Sequence, residues 1–295
     1  MLSDDNVLKL KEKIEKIGKP LKDRDVRIYR GILTGYNEAF IIDTETRNRI
    51  LNACRSKEER KITEDLIKPV LRGRDIGRYC YKWAGLWIIV IPAGWTNKYK
   101  RGQNPEKFFK LTLPALYDYL ISFTNNEVRG RRKGLLYRDD QGDYWWELRP
   151  CDYYSEFEKE KIVWQRVTQQ FSFCFVPGNM YVLDSMAFLI DKNLKYLLGV
   201  LNSKLIDRYV KSYVHQYADT GFLLSNQYIE KIIVPKITTL NKPIISQIES
   251  LVSQILTLKN QDCSVDTSHL ESQIDQLVYE LYDLTPEEIA IIEGN

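Results

Sequence analysis

The sequence predicts an α+β fold, a mixed α/β body over residues 1–240 followed by an antiparallel helical hairpin over residues 241–295. Three observations carry this. Short β-rich runs alternate with helical stretches in the body without a strict βαβ repeat. Two body segments space their apolar residues at helical intervals. Beyond residue 240 the composition changes: two apolar stripes appear, and Lys242 and Lys259 face ten acidic residues.

In chain order, residues 2–17 set Leu2, Val7, Leu8, Leu10, Ile14 and Ile17 among lysines and glutamates, an amphipathic helix ended by Gly18 and Pro20. VRIYRGIL and AFIID flank a Thr-Gly-Tyr-Asn turn and predict a hairpin or strand–loop–strand. Residues 56–67 read as a helix, with Ser56 as cap and Glu59 three residues on. KPVLRGRDIGRY reads as a loop, and GLWIIVI as a buried strand stopped by Pro92. Asn104-Pro105 opens a helix expected to reach about Phe123. Residues 124–143 are polar, basic and punctuated by glycine, a long loop or hairpin tip.

Strands are expected at DYWWEL, KIVWQRV, FSFCFV and MYVLD, and one long helix over residues 192–215. EKIIVPKI closes the body as a strand. In the hairpin, Ile244, Ile245, Ile248, Leu251, Val252, Ile255 and Leu256 form one stripe, resumed from Leu270 to Tyr282. Ser268 with Glu271 predicts a capping box, and Thr285-Pro286-Glu287-Glu288 opens a further short helix. At a terminus such a hairpin can project toward a partner.

Composition limits the function. With 295 residues, 44% hydrophobic and 28% charged, the chain has room for a buried core and is not a low-complexity polymer. No apolar run reaches the roughly 18 residues of a membrane span, and MLSDDNVLKLKEK is no signal peptide, so a cytoplasmic chain without a membrane partner is expected. Cys54, Cys80, Cys151, Cys174 and Cys263 are odd in number and widely spaced, which suits neither a zinc site nor a disulfide framework. The net charge of +3 hides an uneven distribution. The first 240 residues hold 41 basic and 30 acidic residues, and residues 95–138 alone hold ten basic and three acidic. Such a body suits a polyanion.

Catalytic signatures are missing. There is no phosphate-binding glycine loop, no adjacent prolines of an adenine-amino methyltransferase and no F-x-G-x-G for S-adenosylmethionine. The one E-x-K, Glu59-Arg60-Lys61, lies in a helical charge run with only Asp43 as an upstream acid, and His215 and His269 have no nucleophile at readable spacing. No catalytic residue, metal ligand or cofactor site is assigned to this chain.

What remains are polar loops laced with aromatics. RGRRK contributes Arg129, Arg131, Arg132 and Lys133, too dense to bury and flexible enough to follow phosphates. KYKRGQN contributes Lys98, Lys100, Arg101 and Gln103, with Asn104 beside them; amides pair with adenine as arginine does with guanine. QRVTQQ contributes Arg166, Gln169 and Gln170, suited to base edges and equally to hydrogen bonding on a strand surface. On a strand, adjacent Gln169 and Gln170 would face opposite ways. Lys211, Tyr213, His215, Gln216 and Tyr217 offer further stacking or phosphate contacts.

Several segments resemble the TaqI-like C-terminal specificity region of type IIG (Eco57I-like) restriction-modification enzymes and adenine-specific DNA methyltransferases. They are GKPLKDRDVRIYRGILTGYNEAFIID, IKPVLRGRDIGRY followed by WAGLWIIVI, KIVWQRV, YLLGVLNSKLIDRYV and IDQLVYELYDLTPEEIAIIE, in the family's order from about residue 18 to 293. TGYNEAF, LRGRDIGRY and LNSKLIDRY are specific as a set.

The resemblance implies a target recognition domain that reads a short asymmetric site in double-stranded DNA and presents an adenine for flipping into a catalytic pocket. It implies an N-terminal methyltransferase domain or subunit, often with a nuclease upstream, and a C-terminal hairpin similar to the spacer of type I specificity subunits. S-adenosylmethionine and Mg2+ are then expected only with those catalytic domains. The shared motifs are expected to hold the scaffold, since recognition loops must differ between enzymes with different sites. Two rivals stand beside this reading. One is a protein-interaction or specificity subunit of a phage-defence complex that docks through the acidic hairpin; the other is an autonomous metal-dependent nuclease.

Overall fold

The computed structural model describes residues 4–128, 131–217 and 221–294. The chain opens with α1 (Asp4–Ile17), β1 (Arg27–Arg30) and a helical turn at Asn37–Phe40, followed by β2 (Ile41–Asp43), α2 (Thr44–Ala53) and α3 (Lys57–Asp65). Next come β3 (Ile67–Leu71), β4 (Leu86–Ile89), α4 (Trp95–Tyr99), α5 (Pro105–Thr112) and α6 (Pro114–Ile121). A hairpin of β5 (Asn126–Val128) and β6 (Arg131–Lys133) precedes β7 (Lys161–Gln165), β8 (Val167–Thr168), β9 (Phe173–Val176), β10 (Tyr181–Val182) and β11 (Met186–Ile190). The remainder is α7 (Leu194–Leu201), α8 (Lys204–Lys211), β12 (Gln216–Tyr217), β13 (Gly221–Leu223), β14 (Ile233–Val234), α9 (Lys242–Gln261), α10 (Ser268–Leu281) and α11 (Pro286–Glu293). The predicted α+β class with C-terminal helices is what the chain adopts.

The frame is an antiparallel sheet in the order β9-β7-β11-β1. Its strands KIVWQ, FCFV and MAFLI are nearly continuous in apolar residues because both faces are covered. Strand alternation sends Ile162, Trp164, Phe173, Ala187 and Leu189 into one core, with α1, α7, α8 and the C-terminal helices. The intervening Val163, Cys174, Val176, Met186 and Phe188 enter a second core with the sheet β10-β3-β4-β2 and helices α5 and α6. A third small sheet, β8-β13-β12, stands beyond the end of β7.

Several expectations are corrected. Of the two arrangements open to VRIYRGIL and AFIID, the strand–loop–strand forms and the hairpin does not: β1 pairs with β11 and β2 with β4, because Gly31 and Ile32 donate N–H bonds to Met186 and Val182 and carry the chain across. KPVLRGRDIGRY begins as strand β3 rather than loop, its first residues pairing with β4. The helix expected from Pro105 to Phe123 breaks at Pro114, which lacks the N–H an interior helical position needs and starts α6 instead.

The helix expected over residues 192–215 breaks at Asn202-Ser203. The Asn202 amide accepts from Phe173 N–H (3.0 Å) and donates to Phe173 O (2.9 Å), while Ser203 Oγ accepts from Ile206 N–H (3.3 Å) and caps α8. DYWWEL is no strand; it makes a single bridge, Gln141 to Leu148. At the start of α10 the cap position is Thr267 rather than Ser268, with Thr267 Oγ1 donating to Glu271 (2.7 Å). The short helix expected from Thr285-Pro286 forms, and Thr285 and Glu288 close a capping box at its start.

The apolar stripe of the C-terminal hairpin is occupied by the protein itself. Ile245, Ile248, Val252, Ile255, Ile274 and Val278 are buried in the first core, and Gly199 of α7 sits so close that a Cβ there would lie 2.6 Å from Ile248. What α9 and α10 present to solvent is polar and mostly uncharged, including Ser246, Gln247, Gln254, Ser272, Gln273 and Gln276. No helix among the described residues is long and apolar enough to cross a membrane.

Asp275 ties α10 to α8 by accepting the Lys204 N–H (2.9 Å). Burial pushes its carboxyl up to about 6, against the pull of the Lys204 N–H and of Arg78. In the unfolded chain the group ionises near 4, so the folded state binds more protons between about pH 4 and 6 and loses stability as pH rises through that window. Asp275→Asn keeps an oxygen acceptor and carries no charge. It is expected to raise Tm at pH 7.5, with the gain vanishing by about pH 4 in melts across the range.

Candidate nucleic-acid interface

The segment carrying Lys98, Lys100, Arg101 and Gln103 is held from beneath. Glu147, fully buried, accepts the N–H groups of Thr96 (2.8 Å), Gly94 (3.1 Å) and Asp143 (3.1 Å), satisfying the first turn of α4 and the facing loop. Trp146 donates its indole N–H to Thr96 Oγ1 (2.9 Å), and its ring is stacked on Phe109 (4.9 Å) and Tyr144 (5.0 Å). The DYWWEL segment is therefore the clamp of α4. After α4 the backbone turns through left-handed conformations at Arg101 (φ 45°) and Gly102 (φ 80°). Asn104 then caps α5 by accepting Lys107 N–H (3.0 Å), which commits its amide oxygen to the helix.

Lys98, Arg101 and Gln103 are exposed, and Lys100 is half-buried. Lys98, Arg101 and Gln103 line a cleft of about 760 Å³ with Asp65, Trp95, Tyr99 and Phe108. Lys98 Nζ lies 5.1 Å from the centre of the Tyr99 ring.

The basic hairpin pairs Asn126 with Lys133, Glu127 with Arg132 and Val128 with Arg131. Lys133 is exposed, and Arg129 lies outside the described residues. Gly134 anchors the hairpin base, with φ 127° and so little room that a Cβ would meet Phe123 O at 2.5 Å.

The glutamine surface grows from the end of β7. Arg166 breaks the strand: its N–H bonds Ser185 O, and its guanidinium donates to Asp184 O (3.0 Å) and faces the Asp184 carboxylate (3.6 Å), which also pairs with Arg30 (2.9 Å). Past β8, Gln169 and Gln170 lie in a turn and not on a strand, so alternation does not set them on opposite faces. Thr168 Oγ1 donates to Gln170 O (2.7 Å) and closes that turn. Both glutamines are exposed and line an open cavity of about 520 Å³ with Gln165, Val167, Thr168, Tyr217 and Gly221.

Gln165 is positioned by the LRGRD motif. Gly73 approaches so closely that a Cβ there would lie 2.5 Å from Gln165 Nε2, and Arg72 holds the loop with two hydrogen bonds to Asp75 (3.0 and 2.7 Å). Burial pushes the Asp75 carboxyl up, but the bonds from Arg72 outweigh it and hold the pKa below the usual value.

Other charges belong to the frame. Arg138, counted in the basic stretch, is buried: it donates to Thr34 O (2.7 Å), Asp140 O (2.6 Å), Trp145 O (3.0 Å) and Glu147 O, and lies 4.6 Å over the Phe40 ring. It thereby pins TGYNEAF, whose Thr34 hydroxyl donates to Asn37 Oδ1 (2.6 Å). Both oxygens of buried Glu59 accept backbone N–H groups, from Arg55 (2.6 Å) and Ala115 (3.0 Å), so this carboxylate of the E-x-K joins α3 to α6. Lys211 pairs with Asp207 (2.7 Å), and the Tyr213 hydroxyl donates to Tyr228 O (3.2 Å), whereas His215, Gln216 and Tyr217 are exposed. Among the described residues no group of three or more His, Cys, Asp or Glu is placed to hold a metal ion.

The TaqI-like C-terminal specificity domain matches residues 68–234, more than half of the chain. The chain belongs to this family. Over 94% of its length this TaqI-like specificity domain is similar in fold to the type IIL restriction-modification enzyme MmeI, solved in complex with DNA, with 12% identity and a TM-score of 0.55. The type IIG restriction endonuclease BpuSI is a weaker neighbour, with 12% identity and a TM-score of 0.44 over 96% of the chain. The domain spans about a third of either enzyme, 36% and 34%. No curated protein matches it.

The structure thus gathers Lys98, Arg101 and Gln103 at one cleft and Gln169 and Gln170 at another. Sequence reasoning passed over Trp95 and Tyr99, although aromatic residues four apart among lysines are a legible signal.

Removing the clamp tests whether α4 depends on it. Glu147→Ala takes the acceptor from three backbone N–H groups, of which that of Thr96 is buried, and should lower unfolding free energy by about 1–3 kcal/mol. Hydrogen exchange at Thr96–Tyr99 should speed up, with Glu147→Gln intermediate. Unchanged exchange there would show that α4 holds without the clamp.

Proposed function

We propose that this TaqI-like specificity domain reads a short asymmetric site in double-stranded DNA and directs N6-adenine methylation by an N-terminal methyltransferase domain or subunit. In a cleaving parent the same reading would direct the nuclease. The observation that carries the proposal is the exposed glutamine turn over an open cavity, fixed by Gly73, Arg166 and β7, within a chain of this family. Its fold relationship to MmeI, described with DNA, supports the same reading.

Lys98, Lys100, Arg101, Arg129, Arg131, Arg132 and Lys133 are assigned to phosphates, which position a protein without informing it of sequence. The hairpin carrying Arg131, Arg132 and Lys133 is a two-stranded ribbon, a shape the major groove admits. Gln103, Gln169 and Gln170 are assigned to base edges, where an amide makes a bidentate pair with adenine. Arg166 acts through the turn it holds. S-adenosylmethionine and Mg2+ belong to the catalytic domains, so calorimetry of this chain with S-adenosylmethionine should give no saturable heat.

Two measurements test the division of labour. With about six phosphates contacted, log affinity should fall against log salt with a slope near −5; a flat profile removes the basic loops from the interface. Arg131→Ala with Arg132→Ala should weaken binding to every duplex alike. Gln169→Ala or Gln170→Ala should reduce discrimination between cognate and other sites by about 1–3 kcal/mol for each bidentate amide–adenine pair removed. Sequencing the sites methylated by the parent enzyme reads this directly. Glutamine variants that keep the parent's site while the arginine pair changes it would reverse the assignments.

A further inference from the structure

The cleft beside α4 differs in character from the glutamine surface. At about 760 Å³ it is the size of a small-molecule site. Its wall is aromatic: Trp95 lies 5.3 Å from Tyr99 and 6.1 Å from Phe108, ring centre to ring centre. Tyr99 is 46% exposed, so its ring is open to a ligand in the cleft. Two cations, Lys98 and Arg101, stand at the same cleft with two polar groups, the Gln103 amide, which donates and accepts, and the exposed Asp65 carboxylate, which accepts.

An aromatic face has little to offer a paired base, whose own faces are covered by its neighbours in the stack. It suits a base that has left the stack, and the two cations suit the phosphate such a base carries with it. The walls are built before any ligand arrives, α4 through Glu147 and Trp146 and α5 through the Asn104 cap. We propose that this cleft holds one unpaired nucleotide of DNA. The base stacks on the Trp95–Tyr99 wall, Gln103 and Asp65 meet its hydrogen-bonding edge, and Lys98 and Arg101 meet its phosphate. The proposal rests on the DNA-recognition reading and adds to it a seat for an extrahelical nucleotide within the recognition domain itself.

The test compares two short duplexes of identical flanking sequence, one perfectly paired and one with a single extra unpaired nucleotide, titrated into the full chain by fluorescence anisotropy. The bulged duplex is expected to bind about tenfold tighter, within the range of one base–aromatic stack. That ratio should fall to about one in Tyr99→Ala and survive in Tyr99→Phe, which keeps the ring and loses the hydroxyl. With 2-aminopurine as the unpaired base, its fluorescence should be quenched on binding in the parent and in Tyr99→Phe, and not in Tyr99→Ala.

Thermal melts of the variants separate loss of the ring from loss of the fold. Equal affinity for the two duplexes overturns the cleft assignment and leaves DNA recognition standing. A preference that persists in Tyr99→Ala overturns it too, because the gain then comes from the flexibility of the bulge. Failure to bind either duplex defeats the DNA reading and the cleft with it.

Discussion

Everything outward in this protein hangs on a strand that has no outside. β7 lies between β9 and β11, and both of its faces are buried, Ile162 and Trp164 in one core and Val163 in the other. A shift of register by one residue would exchange the two sets, driving Trp164 into the space shaped for Val163. The register is further pinned by the Trp164 indole N–H on Leu224 O (3.0 Å) and by buried Lys161, whose ammonium donates to Phe157 O (2.8 Å) and Lys159 O (2.7 Å). Burial holds that lysine's pKa down to about 8. Its end at Gln165 is consequently a fixed point in space, and the glutamine turn begins there.

The surfaces assigned to DNA share this logic of a mobile chemistry on a rigid mount. Flexible side chains on loose loops lose entropy when they bind, whereas loops braced from within lose less. The Gln165–Gln170 stretch is braced by Gly73 and by the Arg166–Asp184 pair, and the Lys98–Gln103 segment by Glu147, Trp146 and the Asn104 cap. In both places some of the bracing comes from far along the chain, Gly73 in the one and Trp146 and Glu147 in the other. Formal charge is also a poor census of available cations. Arg138 and Lys161 spend their charge on buried carbonyl oxygens, and Arg72 and Arg166 spend theirs on Asp75 and Asp184.

Features encoded within a few residues were legible. The helix Asp4–Ile17, the caps at Ser56 and Thr285, the prolines at 105 and 286 and the pairing of Asn126–Val128 with Arg131–Lys133 all depend on local backbone chemistry. The family was legible too, from a set of short motifs that includes LRGRDIGRY, where Arg72 bonds Asp75. The failures fall where distant groups compete with local preference. Asn202 left a helical pattern to pair with Phe173, and DYWWEL, alternating well enough for a strand, bent so that Glu147 could reach α4.

By itself the sequence determined the α+β class, the family, the existence of polar basic loops and the apolar stripes of the terminal hairpin. Local spacing and side-chain type suffice for each of these. Only the tertiary structure decided which cations are spent inside, that the hairpin's stripe faces α7 and not a partner, and that Trp95 and Tyr99 share a cleft with Lys98, Arg101 and Gln103. Those outcomes turn on long-range packing between segments that are neighbours in space alone, such as Gly199 against Ile248 or Glu147 against Gly94. Hydropathy periodicity says that a face will be buried; the volume and polarity of what arrives to cover it are written in another part of the chain.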